Sequence, residues 1–335
     1  MSARRRVIAA AVAMSVMAVA FAAPATGAST AFTVSGTRTF HAPPYPEQLL
    51  PGLFAGDTVE HISYPAAVFG MDASIAVAVD GLSAGISSTA GPLVIAGYSQ
   101  GAVAVAYQKQ RIMAAPADQR PAADRLTFIT MGDPTGPGGI MRFLPFSVPL
   151  IGISPISPPD TPYTSIIVNG EYDGWGDFPD RPWNLISVAN ALLGIAYVHG
   201  HYEVVPGGFD LSTVPATNIT VTTNSLGGVT TSYLIPTATL PLLQPLLDIG
   251  VPAPVVTALE APLRPIVDAG YIRNDAKPAA VQPVLPSATA APKRGVTAAA
   301  VPRPQRVTPA AAGSRPTSPT GPRRAAAVVR PSAAA

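Results

Sequence analysis

Between residues 31 and 196 the chain alternates short apolar runs with longer segments of mixed polarity. Ala31 to Ser35 reads as a buried strand ending at Gly36, and Ala73 to Val79 as a run of small apolar residues of helical type. Pro92 to Ala96 is a short apolar strand bounded by Gly91 and Gly97. Ala102 to Met113 joins helix formers to a polar face of Gln108, Lys109, Gln110 and Arg111. Leu126 to Met131 and Ser165 to Asn169 are strands rich in β-branched residues, ended by Gly132 and Gly170, and Trp183 to Ala196 is helical. Continuously apolar strands are buried on both faces, so the pattern predicts a mostly parallel central sheet with flanking helices. Ligands bind such sheets in the loops beyond the carboxyl ends of the strands.

The pattern changes after Pro215. Thr217 to Ile235 holds two alternating runs around Gly227-Gly228, which predicts a hairpin. Leu234 to Val267 is strongly apolar but interrupted by prolines and charges. That excludes a membrane span and leaves two readings, buried core or an apolar flap over a site.

Composition redraws the two ends. Arg4, Arg5 and Arg6 precede an apolar run from Val7 to Ala23, and Thr26-Gly27-Ala28 supplies small residues for cleavage. Residues 1–28 therefore read as an export signal, with an uncleaved anchor as the alternative. The chain has no cysteine, which excludes disulfides, thiol catalysis and cysteine-based zinc sites. After Asp275 it has no Asp or Glu, while basic residues recur from Lys277 to Arg330. Residues 276–335 thus read as a disordered, basic Pro/Ala-rich tail. Without the basic leader and tail, the formal charge of +2 becomes strongly negative, so the folded middle, residues 29–275, is acidic. In an exported protein such a tail suits anionic wall polymer or lipid headgroups, or serves as a solvated linker; nucleic acid is not an expected partner.

Candidate chemistry centres on two Gly-x-Ser-x-Gly matches, Gly81 to Gly85 and Gly97 to Gly101. A nucleophile elbow needs a strand before the serine and a helix after it. Ser99 meets that requirement. Ser83 follows a helical run, and its glycines read as helix-ending ones. The N–H of Gln100, at a helix start, is one candidate oxyanion donor, and Thr37 or Arg38 in the loop after the first strand is the second. In this fold the acid and then the histidine follow the serine. Of the four histidines, His41, His61, His199 and His201, only the last two lie downstream. The same His-x-His with Glu203 is also a conceivable metal cluster, but no further ligands are evident. Asp173 is the preferred acid, three residues beyond Gly170; Asp177 and then Asp133 are the alternates, each also readable as a turn carboxylate.

Several spaced motifs, "GYSQGA", "GDPTGPGG", "YDGWGDFP", "NALLGIAYVHGHY", "YLIPTATLPLLQPL" and "LRPIVDAGYIRND", together resemble the PE-PPE C-terminal domain of mycobacteria and related actinomycetes, an α/β-hydrolase relative of cutinases. The resemblance covers Phe32 to Asp275. It implies an α/β-hydrolase fold, serine esterase chemistry without cofactor or metal, and an acyl ester or glycolipid substrate. Some exported members are acyltransferases that build trehalose lipids. The family's "HGxY" falls on His199 to Tyr202 and favours His199 over His201, whereas its "YDxxxDxP" takes in both Asp173 and Asp177. The chain departs from the family's layout in carrying a signal-like leader where a PE or PPE domain would stand. The expectation is a secreted or envelope-associated esterase, with an acyltransferase, an inactive lipid- or wall-binding module and a structural envelope protein as alternatives.

Overall fold

The computed structural model describes residues 29–39, 42–204 and 208–275; the expected leader (1–28) and tail (276–335) lie outside them. The strands are β1 (Thr30–Val34), β2 (Thr58–His61), β3 (Leu93–Tyr98), β4 (Leu126–Met131), β5 (Thr164–Gly170), β6 (Ile219–Thr223) and β7 (Val229–Ile235). The helices are α1 (Pro46–Leu49), α2 (Met71–Ser88), α3 (Gln100–Ala114), α4 (Leu185–Tyr197), α5 (Gln244–Asp248) and α6 (Ala253–Asp268). The strands form one sheet in the order β2-β1-β3-β4-β5-β7-β6. All neighbours are parallel except β6 and β7, the two arms of the hairpin. This is the α/β-hydrolase architecture that the apolar runs and the motifs predict. The pattern did not announce β2: its four residues, Thr-Val-Glu-His, are mostly exposed at the sheet edge and carry no apolar run.

Side-chain alternation explains why the central strands are mostly apolar. Phe32, Leu93, Ile95 and Phe128 face α2 and α3, packing on Ile75, Leu82 and Val103. Their neighbours Ala31, Val94, Ala96 and Ile129 face the other layer, with Leu49, Leu50, Leu211 and Val214. A strand buried on both faces is mostly apolar, with few polar positions such as Thr33 and Thr130.

Two expectations change. Leu234 to Val267 is a satellite core and not a flap: Leu240, Leu243, Val256 and Val267 pack with Tyr172 and Tyr271, and α6 and the turn at Pro241–Leu243 lie against α4. Part of the segment's apolar surface packs on α4, while Ile249, Val255, Leu259 and Ile266 stay exposed. Its prolines, two of them inside α6, hid the helical period. The second difference concerns Gly81 and Gly85, which do not end a helix. Both lie inside α2, which runs on to Ser88. A Cβ on Gly85 would sit 2.7 Å from the ring of Phe32, and one on Gly81 2.8 Å from Ile62 Cγ2. These glycines let α2 lie close on the sheet.

Among the described residues no helix is long and apolar enough to cross a membrane.

Candidate active site

The chain leaves β1 toward β2 on one side and returns to β3 on the other. Beyond the carboxyl ends of β1 and β3 this reversal opens a crevice, the place where open α/β sheets bind ligands. Ser99 lies there, between the last residue of β3 and the first of α3. Its φ of +56° is in the left-handed region, shared among non-glycine residues described only by Ala66 and Tyr172. Such a conformation costs about 1–3 kcal/mol and persists only where its surroundings hold it. The two glycines of the motif explain the hold. A Cβ on Gly97 would come within 2.2 Å of Gly101 O, and one on Gly101 within 2.3 Å of Val34 O. Helix α3 therefore starts in backbone contact with β1, and the turn lifts Ser99 above the sheet edge.

His199 opens the 3-10 turn that follows α4. Its Nε2 is 2.8 Å from Ser99 Oγ, and its Nδ1 is 2.9 Å from Asp173 Oδ2. Asp173 is fully buried, so its charge needs several donors. It has them: Tyr202 donates its hydroxyl to Oδ2 at 2.8 Å, and the Trp175 N–H donates to Oδ1 at 2.8 Å. The Tyr202 oxygen in turn accepts the N–H of Gly170. Burial, and then the neighbouring Asp173 carboxylate, hold the Tyr202 phenol far above its ordinary pKa, so it stays a donor. Tyr98 stacks on the His199 ring at 5.4 Å and donates its hydroxyl to the His199 carbonyl at 2.5 Å. The ring is thus held at both nitrogens, on one face and through its own backbone.

The alternates lie elsewhere. His201 is exposed, with Nδ1 2.8 Å from Ala196 O and its ring stacked on Tyr197. His199 and His201 thus have separate partners and do not converge on a common point. Asp177 is buried beside Arg273, whose Nη1 donates to Oδ1 at 2.7 Å; its Oδ2 accepts the Tyr172 N–H at 2.7 Å. Burial outweighs the pull of Arg273 and pushes this carboxyl up to about 6. The Asp177 N–H also donates to Asp173 O at 2.7 Å. Asp177 therefore braces the loop that carries Asp173, including the positive φ of Tyr172. Asp133 closes a turn: Oδ1 accepts the N–H and the hydroxyl of Thr135 at 2.8 and 2.7 Å.

The Gln100 N–H is the first of α3 and, like other first-turn helix donors, has no partner in its own helix. The Gln100 side chain is buried; it donates to Ala67 O at 2.8 Å and so ties down the loop after β2. Thr37 lines the same cavity as Ser99 and Gln100. The Arg38 N–H is already used by Ala66 O, at 2.8 Å. The cavity holds about 390 Å³, and Val68, Met71, Val103, Ile153, Trp175 and Ile195 supply its apolar wall. No residue of Leu234 to Val267 is among its lining residues.

Sequence reasoning missed Tyr98, Tyr202 and Trp175. Tyr202 had a signal, because the "HGxY" pattern places a tyrosine three residues after the histidine. Tyr98 reads only as a strand residue.

The PE-PPE domain profile matches residues 44–272. The chain is 35% identical to the uncharacterized PPE family protein PPE63 of Mycobacterium tuberculosis over 234 residues, 65% of this chain and 47% of that protein. It is 38% identical over 206 residues to the diacyltrehalose acyltransferase Chp2 of the same organism, covering 58% of this chain and 55% of the relative. Against the esterase PE16, also from M. tuberculosis, it is 37% identical over 200 residues, 57% of this chain and 37% of the relative. The chain spans about half the length, or less, of these curated relatives.

Proposed function

The chain belongs to the PE-PPE domain family, and from that membership and the geometry beyond β1 and β3 we propose that it is a serine-dependent ester hydrolase acting on acyl esters. The hydrogen-bonded chain Asp173–His199–Ser99 carries the proposal. As Ser99 Oγ bonds to the acyl carbon, His199 Nε2 takes the hydroxyl proton. The carbonyl electron pair moves onto oxygen, facing the N–H groups of Gln100 and Thr37. When the pair returns, the ester C–O bond breaks, and His199 gives its proton to the departing alcohol. Acyl-Ser99 then reacts with a second hydroxyl compound by the same steps and is released. Asp173 accepts the Nδ1–H and stabilises the imidazolium. Tyr202 and Tyr98 are positioning residues.

The apolar wall of the cavity suits an acyl chain. The identity of the second hydroxyl compound separates two readings. Water gives the esterase that the name of PE16 describes; a sugar hydroxyl gives an acyltransferase of the kind that Chp2 is named for. Export to the cell envelope is part of the proposal and rests on residues 1–28 alone.

The test is release of p-nitrophenol from short- and long-chain esters by the full chain and by Ser99→Ala, with and without trehalose. Turnover that depends on Ser99 is expected, and its absence at every chain length would leave the fold as a lipid- or wall-binding module. Acyl-trehalose product, or faster release with trehalose, assigns acyl transfer.

A further inference from the structure

The side of the sheet covered by α2 and α3 is not closed along its whole width. Register aligns two rows of side chains there. One runs Phe128, Ser165, Thr230, Thr222 and the other Thr130, Ile167, Ser232, Thr220, across β4, β5, β7 and β6. Under α3 the row begins with the core residue Phe128; beyond it the positions are almost all hydroxyls. They line a cavity of about 530 Å³, separate in its lining from the one at Ser99. Here the segment Pro158 to Thr161 and the loop Asp133 to Gly138 wall it in.

Its polar groups are unevenly used. Thr130 is 4% exposed, and its Oγ1 has no hydrogen-bond partner. Lys109 reaches from α3 across the Phe128 ring, 4.8 Å from its centroid, to Ser165 Oγ at 3.0 Å. Among the described residues it makes no ion pair. Burial lowers its ammonium to about 8, with Asp133 the only carboxylate that counters this. Asp133 Oδ2 accepts no hydrogen bond among the described residues. At the rim Arg273 pairs with Asp177 and Arg142 with Asp180, while Asp160 makes no ion pair among the described residues and accepts the Ser225 hydroxyl at 3.0 Å. The cavity thus offers the Lys109 ammonium, carboxylate oxygens of Asp133 and Asp160, and hydroxyls that both donate and accept. Simple anions and cations each meet a repelling group. A neutral molecule with many hydroxyls meets partners on every side.

We propose that this cavity is a binding site for a sugar or similar neutral polyol, distinct from the Ser99 pocket. Its volume falls in the range of small-ligand sites, about 300–1,000 Å³. The loop from Asp133 to Gly138 separates it from the Ser99 cavity, which Pro134 lines.

The test titrates glucose, maltose and trehalose into the full chain by calorimetry with no acyl donor present, so the outcome is independent of the catalytic reading. Octyl glucoside below its micellar concentration represents a lipid-linked sugar. Saturable binding is expected, weakened at least about tenfold by Ser165→Ala and by Thr230→Val, with ester turnover unchanged by Thr230→Val. Tighter binding of octyl glucoside than of glucose assigns a glycolipid headgroup; equal binding assigns a free sugar. Bound sugar should also slow mild acetylation of Lys109 relative to Lys277 and Lys293. Thr222→Val serves as the replacement for any variant that loses its cooperative melt. No saturation up to about 50 mM, or binding that all these variants leave unchanged, overturns the proposal.

Discussion

Gly97 to Gly101 and Gly81 to Gly85 carry the same five-residue pattern into different backbones. In the first, a strand ends, the chain turns through a positive φ at Ser99, and a helix begins against the backbone of β1. In the second, the chain is helical throughout, and Ser83 points its hydroxyl to Val79 O and Gln108 Oε1, each at 2.9 Å. Both glycine pairs are required by close approach, but to different things. Gly97 and Gly101 admit backbone; Gly81 and Gly85 admit the side chains of Ile62 and Phe32. The pattern records only that small residues flank a serine. Strand-to-helix geometry turns that into a serine raised beside a histidine.

The largest expected effect falls on Ser99. Ser99→Ala should lower kcat on a p-nitrophenyl ester at least about 10⁴-fold, and a smaller loss would move the nucleophile elsewhere. The glycines should divide by phenotype. Gly97→Ala displaces the turn and should cost about 10²-fold in kcat, since errors near 1 Å at a reacting group have that effect. Gly85→Ala presses on Phe32 and should destabilise by about 1–3 kcal/mol, less roughly 1 kcal/mol of helix propensity gained, with kcat per folded molecule unchanged. Equal kcat losses in the two variants, measured beside urea unfolding curves, would erase the distinction. Tyr202→Phe removes one donor to Asp173 and should lower kcat about tenfold with little change in KM. The smallest effect is that of Ser83→Ala. It should cost about 1 kcal/mol for the lost hydrogen bonds and keep turnover within about twofold of wild type.

Legibility in the sequence followed how locally each feature is determined. Leu126 to Met131 was read to the residue because its only polar residues are the β-branched Thr127 and Thr130, which suit a strand. The helix after Ser99 was legible from its helix formers and polar face, although it begins two residues earlier than its apolar residues suggested. The segment from Leu234 to Val267 was not, because core and flap share one composition and differ only in what lies opposite. The same holds for Asp173 and Asp177. Both are buried acids on one loop, and the difference lies in whether His199 or Arg273 is the neighbour. His199 and His201 stand two residues apart, and only the turn after α4 sends one ring inward and the other to the surface.

By itself the sequence determined the central strands, their flanking helices, which of the two Gly-x-Ser-x-Gly matches lies between a strand and a helix, and a short set of candidate partners for Ser99. These follow from hydrophobic periodicity and from glycines at a turn, both properties of neighbouring residues. Tertiary structure decided which acid, which histidine and which tyrosines meet at Ser99, and that the apolar C-terminal segment packs on α4 rather than over the site. It also decided that hydroxyls from four strands line one cavity. Those outcomes depend on contacts between residues tens of positions apart, where burial makes each charge require a specific partner, and no local pattern records which partner arrives.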